Sequence, residues 1–163
     1  MRYSCREVDV SFLQIAPVRI VNVVDIDATA QQIFSVWQDA QAWPLWFENI
    51  IDVEWTSAEP FGVGTTREVT LDTMRIDETF IVWETDKRFC FYLTGTSKPF
   101  FHAFCEDYQL EKLANNRTRF TYTVAYEPAG WFRLLGPFGI MAMKKMFRQG
   151  ASGLAAYMSR IAN

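Results

Sequence analysis

An arginine and a glutamate stand at equal distances from a short turn near the middle of the chain. The turn is Asp72–Thr73, and alternating segments on both sides of it predict a β-hairpin. Counting outward from the turn pairs Arg67 with Glu78 on one face of the hairpin. A guanidinium binds the oxygens of a carbonyl or a carboxylate, and a glutamate can orient it or accept a proton. At an exposed position the same two residues would form an ordinary ion pair contributing under about 1 kcal/mol.

Two later segments add polar groups to the same side of the predicted sheet. One alternating phase of the strand 101–111 contains Glu106 and Tyr108, and the matching phase of the strand 117–126 contains Tyr122. The remaining positions of this face are almost all apolar, and an apolar wall with few polar groups is typical of a small-molecule site. The other residues expected on this face are Val69, Leu71, Ile76, Phe80, Val82, Phe89, Phe91, Leu93, His102, Phe104, Leu110, Phe120, Val124 and Tyr126.

The residues that could react do not form a recognised catalytic or metal-binding pattern. His102 and Glu106 are four residues apart on a strand, roughly 13 Å, and no Cys/His cluster supplies further metal ligands. Cys105 lies in the opposite phase to His102, which argues against a nucleophile pair. The sequence has no phosphate-binding loop, nucleophile elbow or dinucleotide fingerprint. We therefore assign no catalytic residue, metal or cofactor, and we expect His102 at the surface or rim.

The length and composition favour a single domain with a large aromatic content. The chain has 163 residues, of which 50% are hydrophobic and 16% aromatic, with 14 Phe. A Phe-rich core and a lined cavity both explain this content. The net charge of -3 and the pI of about 5.2 argue against nucleic acid as a partner.

The ends of the chain and its cysteines bear on cellular location. No run reaches the ~18 apolar residues of a membrane span, and Met1–Glu7 carries charges where a signal peptide needs an apolar core. We therefore expect a cytoplasmic protein. Cys5, Cys90 and Cys105 lack metal-ligand spacing and are expected to be reduced, structural thiols.

A long amphipathic helix at the end of the chain needs a broad apolar surface to pack on. Within Pro137–Ile161, apolar residues recur at steps of three and four, which predicts one buried face. Lys144, Lys145 and Arg148 fall between these positions and should stay in solvent. The expected buried residues are Ile140, Met143, Phe147, Gly150, Leu154, Met158 and Ile161.

The preceding hundred residues read as a series of strands, so the predicted fold class is α+β. We expect a curved antiparallel sheet of six or seven strands wrapped around the C-terminal helix. Two short helices should follow the first strand, one capped by Asp27 or Thr29 and one within 43–47. The predicted strands are 18–25, 50–55, 65–71, 74–84, 88–94, 101–111 and 117–126.

The first residues form a separate part of the predicted domain organisation. We assign residues 1–17 to an N-terminal extension, in which Val8, Val10 and Phe12 alternate like a strand. Residues 18–163 are assigned to a single domain.

Five short patterns occur in order along residues 18–161. Their order and spacing resemble the START-like superfamily (SRPBCC), in its polyketide cyclase/dehydrase and lipid-transport branch. The patterns are Ala28 with Ile33-Phe34, Asp39 and Trp43-Pro44-x-Trp46; Gly62-x-Gly64-x-x-Arg67; Glu78 with Trp83-Glu84; Tyr108-x-Leu110 with Thr118-Arg119-Phe120; and a long helix ending near Leu154.

The resemblance implies a helix-grip fold with a hydrophobic cavity between the sheet and the long helix. It also supplies matching Arg and Glu positions, which favours a cavity-facing Arg67 and Glu78. It implies no single activity, because members bind lipids, hormones or quinones, cyclise polyketides or assist other machinery.

Three functions fit these observations. The preferred one is a carrier or sensor of a hydrophobic small molecule such as a lipid, quinone or polyketide-like compound. The second is a cyclase or dehydratase acting on a poly-carbonyl chain, with Glu78 or Glu106 as base and Arg67 or Tyr108 as donor; whether the protein is an enzyme stays open. The third is a module that touches a membrane surface or a protein through Trp131–Leu135, with simple packing of that segment as the alternative.

The first two functions use the same cavity. The residues expected to bind the ligand are Arg67, Glu78, Phe80, Phe91, Phe104, Glu106, Tyr108, Tyr122, Met143 and Phe147.

Overall fold

A curved antiparallel sheet wraps around one long helix, which confirms the predicted helix-grip α+β fold. The computed structural model describes residues 1–162. Seven strands follow the spatial order β2-β8-β7-β6-β5-β4-β3, and the two-residue β1 pairs with β6. The strands are β1 (Tyr3–Ser4), β2 (Val18–Ile26), β3 (Ile50–Trp55), β4 (Thr66–Leu71), β5 (Arg75–Glu84), β6 (Arg88–Thr96), β7 (Phe101–Lys112) and β8 (Thr118–Pro128).

Five helices within the described residues complete the fold, and the two after β2 begin where the sequence predicts. Thr29 caps one of them: its hydroxyl accepts a hydrogen bond from the Gln32 backbone while its own N–H donates to the Gln32 side chain. No helix within residues 1–162 is long and apolar enough to cross a membrane. The helices are α1 (Phe12–Ile15), α2 (Ala30–Gln38), α3 (Trp43–Trp46), α4 (Gly130–Leu134) and α5 (Gly136–Ile161), with a 3-10 turn at Ala40–Ala42 between α2 and α3.

The long helix α5 buries most of the apolar stripe that its periodicity predicts, but Ile140 is only partly buried and the last position is exposed. Met143, Phe147, Leu154 and Met158 are buried against the concave face of the sheet. Ile161 is exposed, because the helix has passed the edge of the packed core by its final turn. The cations between the apolar positions, Lys144, Lys145 and Arg148, are exposed as expected.

Two glycines let α5 approach α3 closely. A methyl group at Gly150 would lie 2.6 Å from the Phe47 ring, and one at Gly153 would lie 2.1 Å from the Trp46 carbonyl oxygen. A ring can rotate slightly, whereas a backbone carbonyl at the end of α3 cannot move without displacing the helix. Gly153 therefore fixes the distance between the two helices.

The N-terminal residues are part of the sheet. The first four residues of β7 do not pair with the last residues of β6, and the chain start fills the gap between them. The Cys5 N–H donates to the Thr94 carbonyl at 3.1 Å, and the Arg6 N–H donates to the His102 carbonyl at 2.7 Å. The expected strand alternation at Val8, Val10 and Phe12 is wrong: Phe12 begins the short helix α1. The domain boundary at residues 17 and 18 stays a prediction.

The extension also covers the convex face of the sheet with a second apolar cluster. Val8, Phe12 and Leu13 pack against buried residues of β6, β7 and β8, most of which are small. Two of these are the free thiols of Cys90 and Cys105, whose Sγ atoms are 3.5 Å apart. The sheet is therefore buried on both faces over part of its area.

Gly153→Ala should destabilise the protein even though Ala is the better helix former by about 1 kcal/mol. The added methyl would overlap the Trp46 carbonyl, and overpacking of this kind costs about 1–3 kcal/mol. The measurement is the midpoint of chemical denaturation. The exposed neighbour Ser152 serves as the control, because Ser152→Ala should leave the midpoint unchanged or raise it slightly. A higher midpoint for Gly153→Ala would contradict the close approach of the two helices.

Candidate functional site

The hairpin of β4 and β5 brings Arg67 and Glu78 directly opposite each other, in the register that its short turn predicts. Arg67 Nε donates to Glu78 Oε2. Both side chains are buried, so the pair is not the exposed ion pair of the alternative interpretation. The register holds because Asp72–Thr73 leaves no slack for a shift and because Val69 and Ile76 bury on the same face.

Aromatic rings surround the guanidinium of Arg67. Its Cζ lies 4.2 Å from the Trp43 ring centroid, 5.0 Å from Phe91, 5.2 Å from Phe80 and 5.4 Å from Trp55. At these distances the negative face of a ring attracts a cation, and the attraction is stronger away from water. The rings therefore compensate part of the desolvation of the charge.

The ring nearest to Arg67 is itself held in place. Trp43 Nε1 donates to the backbone carbonyl of Trp37 at 2.9 Å, which links α3 to the end of α2. Pro44 occupies the first turn of α3, where a missing N–H costs nothing. With one face stacked on Trp43 and Nε bound by Glu78, Arg67 keeps a buried Nη1 that has no hydrogen-bond partner within residues 1–162.

A second polar group lies on β7 and β8. The hydroxyls of Tyr108 and Tyr122 both donate to Oε2 of Glu106, at 2.9 Å and 2.6 Å. These residues are neighbours because Tyr108 pairs with Tyr122 across the two strands and Glu106 precedes Tyr108 by two positions on the same face. The other oxygen, Oε1, receives no hydrogen bond from the described residues.

Burial changes the protonation of these carboxyls. It raises the pKa of Glu106 to about 7, the charge of Glu78 adds to this rise, and the two tyrosine hydroxyls oppose it. Burial also raises the pKa of Glu78, against the attraction of Arg67. The hydroxyls of Tyr108 and Tyr122 have pKa values well above normal for the same reason, so both remain donors. Near neutral pH, Glu106 is poised between its neutral and ionised forms.

These polar groups line one cavity of about 360 Å³ between the sheet and α5. Of the ten residues expected to bind a ligand, nine line it: Arg67, Glu78, Phe91, Phe104, Glu106, Tyr108, Tyr122, Met143 and Phe147. The tenth, Phe80, lies behind Arg67 and contacts its guanidinium instead of the cavity. Their ligand-binding role stays a prediction.

Two residues leave the concave face because of β-bulges. A register shift between Phe101 and Ala103 displaces His102, which is exposed to solvent. A second shift between Phe80 and Val82 places Val82 against the convex cluster instead of the cavity face. Strict alternation was therefore wrong at both residues, whereas the expectation that His102 lies at the surface agrees with its exposure.

Several lining residues were not expected from the sequence. Trp43 belongs to the Trp43-Pro44-x-Trp46 pattern, and this pattern was the one sequence feature that singled it out. Others lie in turns, at strand ends or in helices, where alternation along a strand gives no sign that they reach the cavity; Met74 is the exception, because it continues the phase of Ile76 and Glu78. These are Phe47, Ile50, Thr73, Met74, Lys98, Phe100, Trp131, Phe132, Ala142 and Met146.

The site presents two unused hydrogen-bonding atoms to an otherwise apolar space. Arg67 Nη1 can donate to an oxygen of a ligand, and Glu106 Oε1 can accept a proton or, when protonated, donate one. This arrangement can orient an oxygenated apolar molecule, and it can also exchange a proton with it.

The comparisons with known proteins agree with this architecture. The family model described as polyketide cyclase / dehydrase and lipid transport matches residues 17–159. The chain belongs to this START-like family. Uncharacterized protein Rv2574 of Mycobacterium tuberculosis is 42% identical over 129 residues, which cover 78% of this chain and 77% of that protein. An uncharacterized protein of Mycobacterium bovis matches equally well.

Solved structures of the START-like fold superpose on most of the chain. A START superfamily protein from Mycobacterium smegmatis gives a TM-score of 0.76 with 14% identity, covering 88% of this chain and 98% of the other. The Zhui aromatase/cyclase from Streptomyces sp. R1128 gives 0.72 with 10% identity, covering 90% and 96%. At these identities the likeness establishes the fold.

The raised pKa of Glu106 should be visible in the pH dependence of stability. A carboxyl whose pKa rises from 4.5 to about 7 on folding stabilises the protein at low pH and loses that contribution as pH rises through this window. Glu106→Gln has no carboxyl at this position, so it should not lose stability in this window. The difference between its free energy of unfolding and that of the parent should therefore increase by about 3 kcal/mol between about pH 4 and about pH 8.

Denaturant titrations at several pH values measure this difference. Glu111 is the control, because it is exposed on the same strand and Glu111→Gln should reproduce the pH profile of the parent. Parallel profiles for Glu106→Gln and the parent would mean that the Glu106 carboxyl is not desolvated.

Proposed function

We propose that the protein binds a hydrophobic small molecule carrying a carbonyl or carboxylate oxygen, in the cavity between the sheet and α5, as a carrier or sensor. Membership of the polyketide cyclase/dehydrase and lipid transport family supports a ligand-binding domain of this type. The oxygenated end of the ligand is the finer part of the proposal, and it follows from the chemistry of Arg67.

One observation carries this proposal: the buried Nη1 of Arg67 has no partner within residues 1–162. An unsatisfied buried donor of a charged group costs free energy of about 1–3 kcal/mol or more. An oxygen of a bound ligand would satisfy it, because Arg67 and Glu78 both line the cavity. The planar guanidinium then uses one edge for Glu78 and has donors left for the ligand.

The rest of the cavity suits an apolar body. Its volume of about 360 Å³ falls within the roughly 300–1,000 Å³ of small-molecule pockets. Aromatic and aliphatic side chains from β4 to β8 and α5 form its wall. The lining also includes the exposed residues Thr73, Lys98 and Trp131, so the cavity reaches the surface beside them.

The ion pair itself is more easily explained by binding than by stability. Two well-packed apolar residues of similar volume often replace a buried pair without loss of stability. A ligand that uses Arg67 gives a reason for the pair, since Glu78 holds the guanidinium in a fixed orientation. Binding alone, without any chemical step, is enough to explain the pair.

A second candidate function is a cyclase or dehydratase acting on a poly-carbonyl compound in the same cavity. The specific observation in its favour is Glu106, with a pKa of about 7, a free Oε1 and two tyrosine donors on Oε2. A base near neutral pKa is suited to removing a proton next to a carbonyl, and Arg67 could stabilise the resulting enolate. One protein of the same fold is named an aromatase/cyclase.

The double substitution Arg67→Met with Glu78→Gln should separate polar from apolar recognition. It removes both charges together, so neither is left buried without its partner. Displacement of the fluorescent probe N-phenyl-1-naphthylamine measures the affinity for a long-chain methyl ketone and for the alkane of equal length. The ketone should bind at least about tenfold more weakly to the variant, and the alkane should bind within about twofold of the parent.

Met143→Leu is the matched control, because it changes an apolar part of the same wall and should alter both affinities by the same factor. If the double variant binds the ketone like the parent, Arg67 does not contact the ligand. If the parent binds neither compound nor the probe, the protein is not a carrier of this class.

Exchange of the ketone's α-protons in deuterated water distinguishes the carrier from the enzyme. A carrier should bind the ketone without accelerating the exchange. An enzyme that uses Glu106 as base should accelerate it, and Glu106→Gln should abolish the acceleration while retaining binding. Proton NMR of the ketone gives both rates, and acceleration that survives in Glu106→Gln would exclude this residue as the base.

A further inference from the structure

The helices α4 and α5 meet in an exposed apolar surface. Leu134 is 86% exposed and Phe138 is 77% exposed, and Trp131 and Met141 are exposed as well. Scattered single apolar residues are ordinary on protein surfaces, but these four fall within only eleven residues of chain. Burial in the fold therefore does not explain these residues.

The same segment has a charge opposite to that of the rest of the chain. After Glu127 the sequence contains five Lys or Arg and no Asp or Glu, whereas the preceding part contains 11 basic and 19 acidic residues. Arg133, Lys144, Lys145 and Arg148 are exposed, and none of them forms a salt bridge within residues 1–162. These cations are available to an acidic partner.

The apolar and basic residues share one stripe of α5. Phe138, Met141, Lys145 and Arg148 follow at steps of three, four and three, so they lie on one side of the helix. Segments that lie on a membrane surface combine exposed Trp, Phe or Leu side chains with Lys and Arg, and this part of the chain supplies both.

This surface adjoins the opening of the cavity. Trp131 belongs both to it and to the cavity lining, and Ala142 lines the cavity one helical turn after Phe138. A ligand that leaves or enters beside Trp131 therefore passes the apolar surface directly.

We propose that the α4–α5 surface, formed by Trp131, Leu134, Phe138, Met141, Lys145 and Arg148, docks the protein on a bilayer that contains anionic lipids. The apolar side chains would enter the boundary between headgroups and acyl chains, and the cations would contact lipid phosphates. The expected contact through Trp131–Leu135 is thereby extended to α5. Docking would let the protein exchange an apolar ligand with the bilayer, and this part of the inference rests on the proposed function.

A bilayer fits this surface better than a second copy of the chain. A second copy would bring the same cations against each other, because symmetric dimers use identical patches. An anionic membrane instead supplies many negative charges together with an apolar interior. The chain as a whole is acidic, so attraction has to be concentrated at this surface.

Vesicle flotation tests the docking directly and without any cavity ligand. The parent protein should float with vesicles of phosphatidylcholine and phosphatidylglycerol, should not float with phosphatidylcholine alone, and should dissociate as salt rises. Phe138→Asp and Lys145→Glu should each weaken partitioning by about tenfold or more, because one basic residue near an anionic surface contributes about fivefold.

Matched controls lie on other parts of the fold. Ile15 is 75% exposed, on the short helix of the N-terminal extension, and Ile15→Asp should leave partitioning within about twofold of the parent. Lys87→Glu, in the turn after β5, makes the same change in net charge as Lys145→Glu and should also have little effect. Unchanged unfolding midpoints confirm that all four variants fold.

The outcomes separate docking from ligand binding. If the parent binds N-phenyl-1-naphthylamine but floats with neither kind of vesicle, the docking proposal is wrong and the proposed function stands. If Phe138→Asp floats like the parent, the surface does not contact the bilayer. If the parent sediments as a dimer and Phe138→Asp as a monomer, the surface is an interface between two copies of the chain. If the parent floats as expected but binds no probe or ketone, the surface docks and the proposed function is wrong.

Discussion

The charge of Arg67 inside an apolar interior is the constraint on which the rest of the site depends. A buried guanidinium costs several kcal/mol unless its environment compensates it. Glu78 supplies the opposite charge, and the rings of Trp43, Phe91 and Phe80 supply the attraction of their faces. The hydrogen bond from Trp43 to the Trp37 carbonyl holds that ring over Arg67, and the glycines of α5 let the long helix pack closely on α3.

The two polar groups of the cavity, Arg67 and Glu106, differ in what they can offer a ligand. Arg67 is held on one side and unsatisfied on the other, which is the arrangement expected of a ligand contact. Glu106 is satisfied on one oxygen and free on the other, and its pKa of about 7 makes it able to exchange a proton near neutral pH. A carrier uses both only as hydrogen-bonding groups, whereas a cyclase also needs the proton transfer. The shared fold leaves this choice to the chemistry of the site.

The parts of the site that could be predicted from the sequence are those governed by local rules. The turn at Asp72–Thr73 fixes the pairing of Arg67 with Glu78, and alternation along β7 and β8 brings Glu106 near Tyr122. Bulges defeat alternation, because one extra residue reverses the face, and this displaced His102 and Val82. The N-terminal residues occupy a gap between β6 and β7. Such a gap arises from contacts between distant parts of the chain, and no periodic pattern in the sequence reveals it.

The central claim is that Arg67 Nη1 hydrogen-bonds an oxygen of the ligand. Nitrogen-15 NMR of the arginine side chains, during titration with a long-chain methyl ketone, observes this atom directly. The Nη resonances of Arg67 should shift, and their hydrogens should exchange more slowly with water once the cavity is filled, while the resonances of the exposed Arg148 stay unchanged. Saturation of the cavity by the ketone with no change at Arg67 would contradict the claim.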